Sequence, residues 1–172
     1  MDNIEIVFEL LNAEHDLSAF SCGDESLDSW LHSKALRNQK LSATRTFLAL
    51  DKTSGTIMGY YGLSMSEIVR ADAPKSVQRN MPQGIPVVLL GRLAVSKDHQ
   101  GMGMGRFVMR HALETSVRAG ESIATRLVIT QPIDLDARRF YLAVGFEPLA
   151  GTSDTLCLDL VKLAKTENYS KR

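Results

Sequence analysis

The sequence predicts a mixed α/β sandwich with a partly parallel sheet, and three observations predict it. The apolar run Val87–Leu90, resumed at Leu93–Val95, reads as a central strand covered on both faces. Glycines at 101, 103 and 105 follow and open a helix-like segment from Met104 to Ala119. A strand (Ala124–Thr130), a helix (Asp134–Val144) and a closing strand (Thr155–Leu160) then come in order.

The earlier elements can be read in the same way. Ile4 to Leu10 alternates as a first strand. Asp24 is placed to cap a helix carrying Leu27, Trp30, Leu31 and Ala35 on one face. Lys34, Arg37 and Lys40 lie three apart and share a neighbouring, more exposed stripe of that helix. Thr46–Leu50 and Thr56–Ser64 read as two strands of a hairpin around the turn Lys52-Thr53-Ser54-Gly55. Ala71 to Pro86 is interrupted by Pro74, Pro82, Gly84 and Pro86, which predicts loop with one short helix. In the helix after the glycine run, Phe107, Val108, Ala112 and Thr115 form the expected core face. In the next helix the inner face is Ala137, Phe140, Tyr141 and Val144, with Gly145 as the C-terminal cap.

At 172 residues, 44% hydrophobic and 23% charged, the chain fits one globular domain, set at 1–162 with a polar, frayed tail at 163–172. No apolar run is long enough to span a bilayer, and Met1-Asp2-Asn3 lacks the basic start of a signal peptide. Cys22 and Cys157 have neither ligand spacing nor a disulfide framework, so the expectations are a cytoplasmic protein, no membrane partner and no metal. Net charge is zero, yet the cations are unevenly placed. Lys34, Arg37, Lys40 and Arg45 lie in an acid-free window between Ser29 and Leu50, and Lys75, Arg79, Arg92 and Lys97 in a second from Ala73 to Lys97. A polyanion responds to such local surfaces rather than to net charge.

The glycine run carries the chemistry. Glycines turn the backbone tightly and leave amide N–H groups uncovered at a helix N-terminus, where unpaired donors and the helix dipole favour an anion such as a phosphate. Arg106-Phe107 stands where a Walker loop needs Lys-Ser/Thr, and the third glycine comes one residue early for a dinucleotide fingerprint. A glycine-rich turn without a ligand is the plain alternative.

Gln100-Gly101-Met102-Gly103-Met104-Gly105-Arg106 matches Q-x-x-G-x-G and resembles the pyrophosphate loop of the GNAT N-acetyltransferases, which bind acetyl-coenzyme A. Ala137-Arg138-Arg139-Phe140-Tyr141-Leu142-Ala143-Val144-Gly145-Phe146 resembles the A-x-x-F-Y-x-x-x-G-F signature of the same family. The resemblance implies the GNAT acyl-CoA N-acyltransferase fold: a mixed central sheet with a splayed parallel strand pair, flanked by helices. It implies that Leu93, Ala94 and Val95 bind the pantetheine arm through main-chain groups, with the Val95 amide a donor to the thioester carbonyl. Gln100 to Arg106 would hold the diphosphate, with Phe140 beside the coenzyme. Tyr141 would protonate the leaving thiolate, whereas its helical spacing alone would equally suit a packing role. No motif segment supplies an evident general base: Glu67 and Glu147 lie at strand ends, and His99 and His111 flank the loop.

Trp30-Leu31, Lys34 to Gln39, Ala43 to Phe47 and Arg79 to Val95 narrow the resemblance to the acetyltransferase toxins of type II toxin–antitoxin modules, which acetylate the α-amine of aminoacyl-tRNA. In that reading Lys34, Arg37, Lys40, Arg45, Arg79 and Arg92 contact tRNA. The esterified amine, with a reference pKa near 8 that the ester lowers, attacks without enzymatic deprotonation. The implied partners are aminoacyl-tRNA, a ribbon-helix-helix antitoxin in a DNA-bound repressor complex, and a second copy of the chain. Gly91 stands where that branch favours Ala, and Met102 and Met104 replace Lys and Leu. The alternatives are a general GNAT acetyltransferase of a small amine or protein N-terminus, and a non-catalytic acyl-coenzyme A sensor.

Overall fold

The computed structural model describes residues 3–152 and 154–166. Its strands are β1 (Ile6–Leu10), β2 (Arg45–Asp51), β3 (Ile57–Val69), β4 (Gly84–Val95), β5 (Leu127–Thr130), β6 (Glu147–Pro148) and β7 (Leu156–Asp159). They form one seven-stranded sheet in the order β1-β2-β3-β4-β5-β7-β6. The β4–β5 pair is parallel, and β1–β2, β2–β3, β5–β7 and β6–β7 are antiparallel. The helices are α1 (Glu25–Trp30), α2 (Leu36–Lys40), α3 (Lys75–Gln78), α4 (Met104–Ser122), α5 (Leu135–Val144) and α6 (Leu160–Ala164).

Two compact units can be told apart along the chain: Met1–Ser64 with Gly91–Arg110, and Met65–Leu90 with His111–Arg172. In the first, Asp24 caps α1 by accepting from the Leu27 amide at 3.0 Å. The predicted apolar face of Leu27, Trp30, Leu31 and Ala35 is buried. The predicted single helix is interrupted by a π-helical stretch, Leu31–Ala35, between α1 and α2. Such a stretch adds a residue to the turn and re-aims the side chains that follow, which apolar periodicity does not reveal. Tyr60 stacks on Trp30 with ring centroids 6.1 Å apart, and its hydroxyl donates to the Leu27 carbonyl at 2.7 Å.

Between β2 and β3 the register shifts at Ala49/Leu50, a bulge that passes over Met58, whose carbonyl accepts instead from the Ser96 amide. The bulge brings Gly59 so close to β4 that a Cβ there would sit 2.9 Å from the Ala94 carbonyl oxygen and 3.1 Å from Val108.

The second unit packs Ala73, Val77, Ile85, Val87, Leu127, Ile129, Leu149 and Cys157 into one apolar cluster. Its parallel ladder is short, running from Val87 opposite Leu127 to Leu89 opposite Ile129, with β5 ending at Thr130. Arg126 grips Asp159 through two nitrogens, at 3.2 and 3.1 Å. Asp159 also caps α6. Asp134 caps α5, accepting from the Ala137 amide at 2.7 Å, and Gly145 ends that helix at φ +120°.

Several expectations are corrected. Strand β3 runs on to Val69, α4 to Ser122, and the closing strand ends at Asp159 because Leu160 starts α6. The two-residue strand β6 was not expected. Of the expected core face of α4, Val108 and Ala112 are buried, but Thr115 is half-buried and Phe107 is 44% exposed. Phe107 instead stacks on Phe8 of β1, rings 5.6 Å apart, so a second aromatic covers one of its faces and the other stays in solvent. Within the expected 163–172 tail, Leu163 and Ala164 belong to α6, and Glu167–Arg172 lie outside the described residues. No helix among the described residues is long and apolar enough to cross a membrane.

Candidate active site

The glycine loop lies in the first unit, between β4 and α4. Gly101 and Gly103 have φ of +77° and +86°, a left-handed backbone that side chains resist. A Cβ at either position would meet nothing within 4 Å, so these glycines face open space rather than packed neighbours. At α4 the Phe107 amide donates to Gly103. The N–H groups of Met104, Gly105 and Arg106 therefore precede the first intrahelical bond of a 19-residue helix. Backbone donors, an aligned helix dipole and unobstructed space are what a diphosphate needs. The loop fits the group predicted for it.

Side chains around the loop hold it in place. Gln100 donates to the carbonyls of Cys22 and Val95 at 2.8 and 2.9 Å. Ser96 pairs with His99 Nδ1. Met102 is exposed and Met104 buried at 7%, so Met104 can serve a ligand only through its backbone, while Arg106 is exposed. On β4, Ala94 is buried and Leu93 and Val95 are half-buried.

In the second unit Tyr141 on α5 is only 6% exposed, packed edge-on against Phe140 and Phe146. Burial lifts its phenol above the ordinary tyrosine pKa, and a hydrogen bond with the Thr130 side chain partly offsets that. The group therefore stays protonated at neutral pH, the form a proton donor requires. Thr130, absent from the sequence-based expectations, also donates to the Leu90 carbonyl at 2.9 Å. No local motif marks it; its position two residues before Pro132 at a strand end was the nearest signal.

The cysteines are unsuited to nucleophilic chemistry, since burial pushes the Cys22 thiol up to about 11 and the Cys157 thiol up to about 12. Among the described residues no group of three or more His, Cys, Asp or Glu could hold a metal ion. His111 has its pKa lowered by burial.

Of the predicted tRNA contacts, Lys34, Arg37 and Lys40 are exposed. Arg45 is exposed but engaged, donating to the Gln39 carbonyl and the Ser42 hydroxyl at 2.9 and 3.2 Å. Arg79 is exposed at the end of α3. Arg92 is half-buried, its guanidinium carbon 4.1 Å from the Trp30 ring centroid.

A strand that delivers a glycine loop to a helix N-terminus suits a phosphate-bearing ligand such as an acyl carrier's diphosphate. The chain belongs to the acetyltransferase (GNAT) family, which it matches over residues 5–146. It is 39% identical over 132 residues to a tRNA-acetylating toxin of Mycobacterium tuberculosis (strain ATCC 25618 / H37Rv), covering 77% of this chain and 78% of that one. Among solved structures it is similar to AtaT complexed with acetyl-methionyl-tRNAfMet, at 30% identity and a TM-score of 0.86 over 92% of this chain and 97% of that one. It is also similar to a Tyr-to-Phe variant of AtaT bound to acetyl-CoA and the C-terminus of the antitoxin AtaR. There the identity is 26% and the TM-score 0.79, over 92% and 96% of the two chains.

Proposed function

We propose that this chain is the toxin of a type II toxin–antitoxin module, transferring acetyl from acetyl-coenzyme A to the α-amine of an aminoacyl-tRNA and so stopping translation. The glycine loop opening α4 carries the reading: Gly101 and Gly103 hold left-handed backbone with open space where side chains would be. The similarity to a tRNA-acetylating toxin supports the acceptor. The family match across residues 5–146 supports a single acetyltransferase domain, with α6 running past the expected boundary at 162.

In this reading Gln100 to Arg106 grip the diphosphate, and Leu93, Ala94, Val95 and Phe140 line the path of the pantetheine arm. Tyr141 gives its phenolic proton to the departing sulfur; general acids of this kind typically contribute about 10²–10⁴-fold. Lys34, Arg37, Lys40, Arg45, Arg79 and Arg92 serve the tRNA, with Lys34, Arg37 and Lys40 in no ion pair among the described residues and best placed for phosphate. The chain works in the cytoplasm as a homodimer, restrained by a ribbon-helix-helix antitoxin that seats the pair on operator DNA.

A cell-free translation extract tests this reading. Added protein should arrest synthesis only when acetyl-coenzyme A is present. Arrest without acetyl-coenzyme A, or no arrest with it, contradicts the proposal.

A further inference from the structure

Within the first unit, Arg92 is unlike the cations of the basic helix stripe. Lys34, Arg37 and Lys40 are exposed, whereas Arg92 is half-buried on β4 with its guanidinium carbon 4.1 Å from the Trp30 ring centroid. That ring is held still. Trp30 is 5% exposed and stacks on Tyr60, whose hydroxyl donates to the Leu27 carbonyl. The indole rim also lies 3.8 Å from where a Gly62 side chain would begin, so β3 closes in on it. The fixed indole therefore orders the guanidinium before any ligand arrives.

Among the described residues no carboxylate pairs with Arg92 and no acceptor bonds it. A planar fork of N–H donors, partly out of water and without a protein acceptor, is under-satisfied. Burial lowers its pKa, with Tyr60 opposing, and an arginine still keeps its charge at neutral pH. The complement of such a fork is an oxyanion with oxygens side by side, as in a phosphate. Position selects which phosphate. Arg92 stands one residue, about 3.3 Å of strand, before Leu93, the first residue read as holding the pantetheine arm. The amine to be acetylated hangs by an ester from the terminal ribose of the tRNA. The phosphate nearest to it joins that ribose to the preceding nucleotide.

We propose that Arg92, seated on Trp30, binds this last phosphodiester of the charged tRNA and so brings the ester-linked amine to the acetyl group. The inference rests on the reading of charged tRNA as the acceptor and goes further by giving one arginine one phosphate. No covalent bond changes at Arg92: its guanidinium keeps its protons and donates them to the nonbridging oxygens. The exposed cations of the helix stripe are left for phosphates farther from the ester.

The test uses charged tRNA assembled by ligation, with either the native terminal linkage or a neutral methylphosphonate in its place. Wild-type kcat/KM should fall about tenfold or more on the methylphosphonate. Arg92→Gln should fall by a similar factor on native tRNA and lose nothing further on the methylphosphonate. Arg92→Lys, which keeps the charge but not the planar fork, should recover only part of the native rate. The KM for acetyl-coenzyme A should stay at its wild-type value in both variants, which reports that they are folded. Equal wild-type rates on the two tRNAs overturn the proposal. So does a variant as sensitive to the methylphosphonate as wild type, or full recovery in Arg92→Lys. Each of these leaves acetyl transfer to charged tRNA standing. No acetylation of native charged tRNA by the wild type overturns the underlying reading as well.

Discussion

The side-chain amide of Gln100 donates to the carbonyl of Val95 at 2.9 Å, tying the start of the glycine run to the last residue of β4. The same amide reaches the Cys22 carbonyl. The loop is therefore braced from two directions before any ligand arrives, and a braced loop loses less conformational freedom on binding. Gln100→Ala removes both bonds. The KM for acetyl-coenzyme A should rise by up to about thirtyfold, at roughly 1 kcal/mol for each of the two lost hydrogen bonds, with turnover much less affected. Initial-rate kinetics in acetyl-coenzyme A check this.

Gly103 tests the backbone directly. Its φ of +86° disfavours any side chain, although a Cβ would meet nothing within 4 Å. Gly103→Ala should therefore weaken acetyl-coenzyme A binding by distorting the loop, at a conformational cost of about 1 kcal/mol or more, without a steric clash. Calorimetric titration with acetyl-coenzyme A should show the loss, and thermal denaturation should show only a small change.

Gly59 and Gly91 make a contrasting pair for stability. A Cβ at Gly59 would lie 2.9 Å from the Ala94 carbonyl, whereas at Gly91 it would meet nothing within 4 Å. Gly59→Ala should cost about 1–3 kcal/mol and lower the melting temperature by several degrees. Gly91→Ala should melt close to wild type. Scanning calorimetry of the two variants separates them.

The exposed cations report on the acceptor. Lys34→Glu combined with Arg37→Glu should raise the KM for aminoacyl-tRNA at least about tenfold and flatten its salt dependence, because two phosphate contacts are lost. The KM for acetyl-coenzyme A should not change. If acetylation of charged tRNA is unaffected, this basic stretch is only a solvated face.

The pH profile follows from the raised pKa of Tyr141, whose principal cause is burial. A proton donor is active in its protonated form, so activity is retained below the folded pKa and lost as pH rises through it. That loss falls above the ordinary tyrosine value of about 10. On the acid side the acceptor amine must be neutral, so turnover should rise through its own pKa, at or below about 8. Single-turnover rates across this range should show an acid limb and no alkaline fall below about pH 10.

Local features were legible in the sequence and paired ones were not. Asp24, Asp134 and Gly145 act within one turn of their own helices, and all three cap as expected. The glycine loop is equally local, since two positive-φ positions and a following helix are determined by neighbouring residues. By contrast, the exposed face of Phe107 depends on Phe8, which lies on a distant strand. Thr130's bond to the Leu90 carbonyl joins two strands that are distant in sequence, with no spacing rule linking them. The π-helical stretch at Leu31–Ala35 leaves no trace in apolar periodicity, because Leu31 and Ala35 are buried either way. Arg92 reads as a surface cation in the sequence, but its cation–π contact with Trp30 comes from tertiary packing.

In the proposed reaction, acetyl transfer to charged tRNA runs through Tyr141. Purified protein, acetyl-coenzyme A labelled in the acetyl group and total charged bacterial tRNA, with Tyr141→Phe run alongside, test it in one reaction. Label should appear in the aminoacyl-tRNA fraction, reduced about a hundredfold or more in the variant. Label on small amines or peptides with none on tRNA would contradict it.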